Sequence, residues 1–217
     1  MQLFLQKERN SMNAVLSLIL GYFVGCLNPA ALVSKKKNVD LKSEGTKNLG
    51  ATNTALVLGR KAGYFVLIFD MLKSIFSYKL ARVLFPQLTI AGLIAGIGVI
   101  LGHCFPVFLH FQGGKGLASF GGLVLAHDPL LFAGLLTLGI VLAFALNYGV
   151  YLAVSAASLF PVLCYLRSRD PAIFAASAVA GGIILVMHRG NLRRAITGED
   201  PIHTRDGLKK IFSKKNG

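Results

Sequence analysis

Three short polar segments hold most of the residues in this chain that could do chemistry. The first runs Gly45-Thr46-Lys47-Asn48-Leu49-Gly50-Ala51-Thr52-Asn53. Glycine lets backbone N–H groups approach an anion, Thr and Asn add hydroxyl and amide donors, and Lys adds charge. The second is Gly102-His103-Cys104-Phe105-Pro106, followed by Phe111-Gln112-Gly113-Gly114-Lys115-Gly116. A Gly-Gly-Lys-Gly turn ahead of an apolar helix suits a phosphate: amides and the helix N-terminus face the anion and Lys115 neutralises it. It is not the nucleotide P-loop, which needs longer glycine spacing and a Lys-Ser/Thr pair. The third is His188-Arg189-Gly190-Asn191-Leu192-Arg193-Arg194, then Thr197-Gly198-Glu199-Asp200. On a helix, His188 and Asn191 share a face, and the imidazole can orient or deprotonate a hydroxyl. Each segment also has a bland reading: an ordinary loop, a solvated interfacial lysine, and a snorkelling basic helix end.

The sequence around these segments is made for lipid. Of 217 residues, 54% are hydrophobic and 15% charged, and the mean hydropathy is +0.62. A soluble domain has about a quarter charged residues, so this chain has too little polar sequence to cover its apolar surface in water. The 23 Lys and Arg against 9 Asp and Glu cluster beside apolar runs, as the positive-inside rule describes. They suit anionic headgroups or a phosphorylated substrate. A nucleic-acid partner is not expected, because no basic module with interleaved aromatics is visible. Cys26, Cys104 and Cys164 lack paired metal-ligand spacing and read as reduced structural thiols. No metal is expected.

Apolar runs at 13–33, 63–85, 88–101, 117–126, 130–146, 150–166 and 171–187 predict about seven spans. The fourth is shorter than the ~20 residues a crossing helix usually needs. Residues 1–11 read as a short exposed arm, and 200–217 as a basic tail. Seven spans put the loops at 34–61 and 102–116 and the C-terminal tail on one face. Those segments carry sixteen Lys and Arg against five on the other face. That asymmetry predicts a cytoplasmic C-terminus and an external N-terminus. The expected fold is an all-α, polytopic transmembrane bundle forming a single domain over 1–217. Asp70 and Lys73 fall inside the second span at helical spacing. They read either as a functional intramembrane pair or as an internal ion pair that stabilises the bundle.

Together the motifs resemble the bacterial acyl-phosphate:glycerol-3-phosphate acyltransferases, from about Gly21 to Glu199. The family's G-S-G-N-x-G-A-T-N stands here as Gly45 to Asn53, and its D-x-x-K-G as Asp70, Lys73 and Ser74. G-H-x-F-P with F-x-G-G-K-G runs from Gly102 to Gly116. H-x-x-N-x-x-R is His188, Asn191 and Arg194, with Thr197 to Glu199 after it. The resemblance implies transfer of a fatty acyl group from acyl phosphate to glycerol 3-phosphate, giving lysophosphatidic acid and phosphate. It implies the bacterial inner membrane, a cytoplasmic active site, no cofactor, and an acyl-phosphate-producing enzyme as partner. None of the five His has an Asp five positions later, so the signature of the soluble-type glycerolipid acyltransferases is missing.

On that resemblance, Thr46, Lys115, His188 and Asn191 are the expected catalytic group. Lys42, Gly45, Lys47, Asn48, Gly50, Thr52, Asn53, His103, Gly113, Gly114 and Gly116 are expected to bind substrate. Acyl phosphate is already activated, so the protein must chiefly bring two anions together and bind developing charge. A substrate phosphate takes the proton. The departures concern charge. Ser is replaced by Thr46, Gly by Lys47, one Arg by Lys42 and another by Leu56, and no Arg stands near Tyr148. Losing Arg forks weakens bidentate phosphate recognition, which Lys42 and Lys47 would partly offset. The alternatives are a non-catalytic phospholipid- or phosphate-binding paralogue and, third, a small transporter.

Overall fold

Two pairs of glycines four residues apart, Gly21 with Gly25 and Gly98 with Gly102, set a helix contact in which main chain meets main chain. In this computed structural model, which describes residues 1–199 and 203–213, the first pair lies on α1 (Gln2–Gly25) and the second on α5 (Ala91–Cys104). A Cβ on Gly21 would sit 1.9 Å from the Ala95 carbonyl oxygen, and one on Gly102 2.1 Å from that of Tyr22. Small residues let two backbones touch, which is how apolar helices associate where lipid removes the hydrophobic drive.

α1 begins at Gln2, so residues expected as an exposed arm are its first turns. It also stops before the expected end of the first span. Asn28 caps a new helix, α2 (Pro29–Lys36), by accepting from the Ala31 N–H at 3.0 Å, with Pro29 at its first position. An Asn-Pro pair starts helices and disfavours continuing one. The first polar loop follows, then α3 (Ala51–Leu58) and α4 (Arg60–Leu84). After α5 come the second loop, α6 (Leu117–His127), α7 (Pro129–Ala145), α8 (Val150–Ser168) and α9 (Pro171–Thr197). A last helix, α10 (Thr204–Ser213), lies in what reads as a basic tail. The rest of that tail, 200–202 and 214–217, is outside the described residues. The described residues contain no strand.

Among the described residues, four segments are long and apolar enough to cross a membrane: Phe4–Lys36, Ala91–Leu109, Val150–Ser168 and Pro171–Thr197. α6 and α7 are apolar but shorter. α4 has 25 residues, roughly 37 Å at 1.5 Å per residue, but carries Asp70 and Lys73 within it. Their burial is resolved by pairing. Lys73 Nζ lies 2.7 Å from Asp70 Oδ1 and donates to the carbonyls of Gly25 at 3.1 Å and Leu27 at 3.0 Å. His103 Nδ1 is 3.2 Å from the same carboxylate oxygen. One ion pair thus ties the C-terminal end of α1, where a cation is favoured, to α4 and α5.

The largest core cluster joins α5, α6, α8 and α9. Phe120 of α6 meets Phe160 of α8 edge to face, ring centres 5.5 Å apart. α6 packs against both α4 and α7. A Cβ on Gly122 would fall 2.3 Å from the Met71 carbonyl oxygen, so α6 lies almost on the backbone of α4.

Candidate active site

The first polar loop is held in shape by Asn53, which is fully buried on α3. Its Oδ1 accepts from the Thr46 N–H at 2.6 Å. Its Nδ2 donates to the carbonyls of Leu41 at 2.7 Å and Asn48 at 2.9 Å. Gly45 takes φ +60, and a Cβ there would collide with Asn53 Oδ1. Sequence reasoning expected Gly45 and Asn53 to touch substrate. In the structure they build the turn that carries Thr46, Asn48, Gly50 and Thr52. Asn48 Nδ2 donates to Thr46 Oγ1 at 2.9 Å, fixing the threonine hydroxyl.

The second loop folds back on the end of α5. The N–H groups of Gly113 and Gly114 donate to the carbonyls of Cys104 and His103, both at 3.1 Å. Those two amides, expected to face an anion, are therefore committed to the loop itself. Their missing side chains are what the loop needs. A Cβ on Gly113 would meet the His103 oxygen at 1.9 Å, and one on Gly114 would meet His103 Nε2 at 2.3 Å. Gly116 ends the turn at φ +78 and caps α6. Anion-directed amides remain in the first turn of α6, whose N-terminus carries partial positive charge.

On α9, His188 Nδ1 lies 2.9 Å from the Ile184 carbonyl. A carbonyl only accepts, so Nδ1 bears the proton and Nε2 carries the lone pair of the neutral ring. One turn on, Asn191 Oδ1 accepts from Lys115 Nζ at 2.5 Å and from Arg194 Nη2 at 3.1 Å. Two cations therefore meet at one amide oxygen. Arg194 has no role in the expected site, though its three-residue step from Asn191 signals a shared helix face. Thr197 and Gly198 close α9, with Gly198 in the left-handed conformation favoured after a helix end.

These groups border one cavity of 580 Å³. Thr46, Asn48, Gly50, Thr52, His103, Lys115, Gly116, His188 and Asn191 line it, so all four expected catalytic residues and five of the expected binders are brought together. The cavity continues along an apolar wall of Leu67 and Met71 from α4, Phe120 and Val124 from α6, Phe132, Leu135 and Leu136 from α7, and Leu152 and Ala156 from α8. One end can hold phosphate and a hydroxyl, and the other a hydrocarbon chain.

Some expected charges lie elsewhere. Lys42 Nζ donates to Gln112 Oε1 at 3.1 Å, pinning the first loop to the second. Lys47 is exposed, at φ +54. Neither lines the cavity, whereas buried Leu56 does. Asp70 also touches the cavity, but its bonds are those of the helix tie. Sequence reasoning missed His203, Thr204, Gly207, Leu208 and Ile211, which complete the lining. The signal was present as apolar residues spaced three to four apart within the tail.

The sequence model described as glycerol-3-phosphate acyltransferase matches residues 15–198. A glycerol-3-phosphate acyltransferase of Thermoanaerobacter sp. (strain X514) is 34% identical over 190 residues, covering 87% of this chain and 95% of its own. One from Bacillus velezensis (strain DSM 23117 / BGSC 10A6 / LMG 26770 / FZB42) is 33% identical over 187 residues, covering 86% and 95%. Among solved structures, PlsY (YgiH), an integral membrane glycerol 3-phosphate acyltransferase, superimposes in its glycerol 3-phosphate form with a TM-score of 0.80. That match is 28% identical and covers 86% of this chain and 93% of PlsY. The lysophosphatidic acid form gives the same TM-score and identity, covering 90% and 98%.

Proposed function

The chain belongs to the glycerol-3-phosphate acyltransferase family, and from that premise we infer that it is a membrane enzyme of phospholipid synthesis that acylates glycerol 3-phosphate. The donor is acyl phosphate, and the products are lysophosphatidic acid and inorganic phosphate. The observation that carries this reading is the single cavity in which Thr46, Lys115, His188 and Asn191 stand at the polar end of an apolar wall.

Lys115 and the first turn of α6 hold the phosphate of one substrate, and Thr46 with Asn48 faces the other. The acyl chain lies along Met71, Val124, Phe132 and Leu136. His188 Nε2 accepts a hydrogen bond from the 1-hydroxyl of glycerol 3-phosphate and turns its oxygen toward the acyl carbonyl. Attack forms the ester bond and breaks the bond from carbonyl carbon to phosphate oxygen, and a substrate phosphate takes the hydroxyl proton. Lys115 stabilises the charge that shifts onto the leaving phosphate, an effect worth most in a site shielded from water.

In this reading α1, α4, α5, α6, α7, α8 and α9 are the seven spans, with the N-terminus external and the cavity opening to the cytoplasm. An inner-membrane location lets an acyl-phosphate-producing enzyme deliver donor from the same side. The test supplies purified protein with palmitoyl phosphate and glycerol 3-phosphate and measures lysophosphatidic acid. Formation no faster than with Lys115→Ala overturns the reading. Leu56, apolar where the family's motif carries an Arg, favours a second reading: a paralogue that binds phosphorylated lipid without turnover. Such a protein would retain lysophosphatidic acid in a binding assay and fail the turnover assay.

A further inference from the structure

The helix α10 lies beyond residues 15–198, the part of the chain matched by the family's sequence model, yet it forms a wall of the cavity. Thr204, Gly207, Leu208 and Ile211 fall on one face at helical spacing and line the same space as Lys115 and His188. Arg205 and Lys209 are exposed. Both ends of the helix are fastened. At the first, the N–H groups of Thr204 and Arg205 donate to the backbone and side-chain oxygens of Asn147 at 2.8 and 3.3 Å. His203 stacks on Tyr148 there, ring centres 5.1 Å apart. At the second, the Arg60 guanidinium lies 5.5 Å from the centre of the Phe212 ring, a cation–π distance. α10 therefore bridges the α7–α8 turn and the head of α4.

We propose that α10 is the acceptor-selectivity element of this enzyme: its Leu208–Ile211 face keeps water from the acyl carbonyl, so that glycerol 3-phosphate is acylated and the donor is not hydrolysed. This rests on the acyltransferase reading above. Acyl phosphate is a mixed anhydride. Water attacks the carbonyl carbon that the glycerol hydroxyl attacks, forming a C–O bond and breaking the one to phosphate. Fatty acid and phosphate result, and the proton passes to solvent. Lys115 would assist that leaving group equally well with either acceptor, so selectivity needs exclusion of water. An apolar helix face lining the cavity that Lys115 and His188 border supplies it.

The test compares the full chain with L208S/I211S, which keeps α10 but makes its inner face polar, and with Y148A, which removes the stack that docks it. Each receives palmitoyl phosphate and glycerol 3-phosphate, and free palmitate and lysophosphatidic acid are measured by mass spectrometry after subtracting an enzyme-free blank. Both products arise at one site, so their ratio does not depend on the fraction of protein that folds. The palmitate to lysophosphatidic acid ratio is expected to rise on the order of tenfold in both variants. An unchanged ratio in either variant, or loss of both products in proportion, overturns the proposal. If the unsubstituted chain makes no lysophosphatidic acid, the acyltransferase reading itself fails.

Discussion

The ammonium of Lys115 and the amide oxygen of Asn191 stand 2.5 Å apart although 76 positions separate them in the chain. The lysine belongs to the loop ahead of α6 and the asparagine to α9, so this bond joins two of the three polar segments at the point where phosphate would be held. Arg194 approaches the same oxygen from the next turn of α9. Lys115→Ala should lower kcat by about 100- to 1,000-fold, as loss of a transition-state donor does. Asn191→Leu leaves the charge but removes its anchor, and should raise KM for glycerol 3-phosphate more than it lowers kcat. Initial rates of lysophosphatidic acid formation across acceptor concentration separate the two effects. A Lys115→Ala enzyme within threefold of the unsubstituted rate would remove the lysine from the chemistry.

His188 offers a sharper test, because its two ring nitrogens do different things. Nδ1 bonds the Ile184 carbonyl within α9, a structural contact, while Nε2 is the atom assigned to the glycerol hydroxyl. His188→Asn can keep a donor near Ile184 but offers nothing where Nε2 stood. Turnover should fall by roughly 100-fold or more with an unchanged thermal midpoint. If the residue only caps its own helix turn, both His188→Asn and His188→Ala will turn over normally.

The parts of this architecture that follow a period or a charge rule were legible in the sequence. The apolar runs marked α4 to α9, and the three polar segments do meet at one cavity. What depended on partners far along the chain was not legible. That Gly113 and Gly114 spend their N–H groups on the carbonyls of Cys104 and His103 follows from the loop's path over α5, which no local pattern shows. Lys42 reads as a phosphate ligand in the sequence, and its bond to Gln112, 70 positions away, has no local signal. The break after α1 was signalled by Asn28-Pro29, but the apolar residues on both sides mask it. α10 was overlooked because Leu208, Ile211 and Phe212 are embedded among basic residues, and composition averages them away.

Asp70 and Lys73 join three helices through one buried ion pair, and their removal should show as stability before it shows as rate. Asp70→Asn leaves the Lys73 ammonium buried with only carbonyls and His103 nearby. Breaking such a pair from one side costs about 3–5 kcal/mol. Replacing both, Asp70→Asn with Lys73→Met, removes the stranded charge and should recover part of the loss. Thermal unfolding in detergent, followed for both variants, checks the order. A double variant less stable than Asp70→Asn alone would contradict a primarily structural pair.

Gly102 links the helix contact to the active site. Its missing Cβ allows α5 to lie against the Tyr22 carbonyl of α1, 2.1 Å from where that atom would be. The next residue, His103, supplies the carbonyl that holds Gly114 in the second polar loop. Gly102→Ala must push two backbones apart, because the obstructing atom is main chain and cannot rotate away. A cost of about 1–3 kcal/mol is expected for such overpacking, and the displaced loop should lower kcat as well. Gly134 on α7 is the control. Beyond the backbone of its own helix turn, no described atom lies within 4 Å of where its Cβ would stand, and Gly134→Ala should be neutral or stabilise by up to about 1 kcal/mol. Equal thermal midpoints for the Gly102→Ala and Gly134→Ala proteins would mean that the α1–α5 contact can open without loss, and that glycine spacing does not set the distance between these helices.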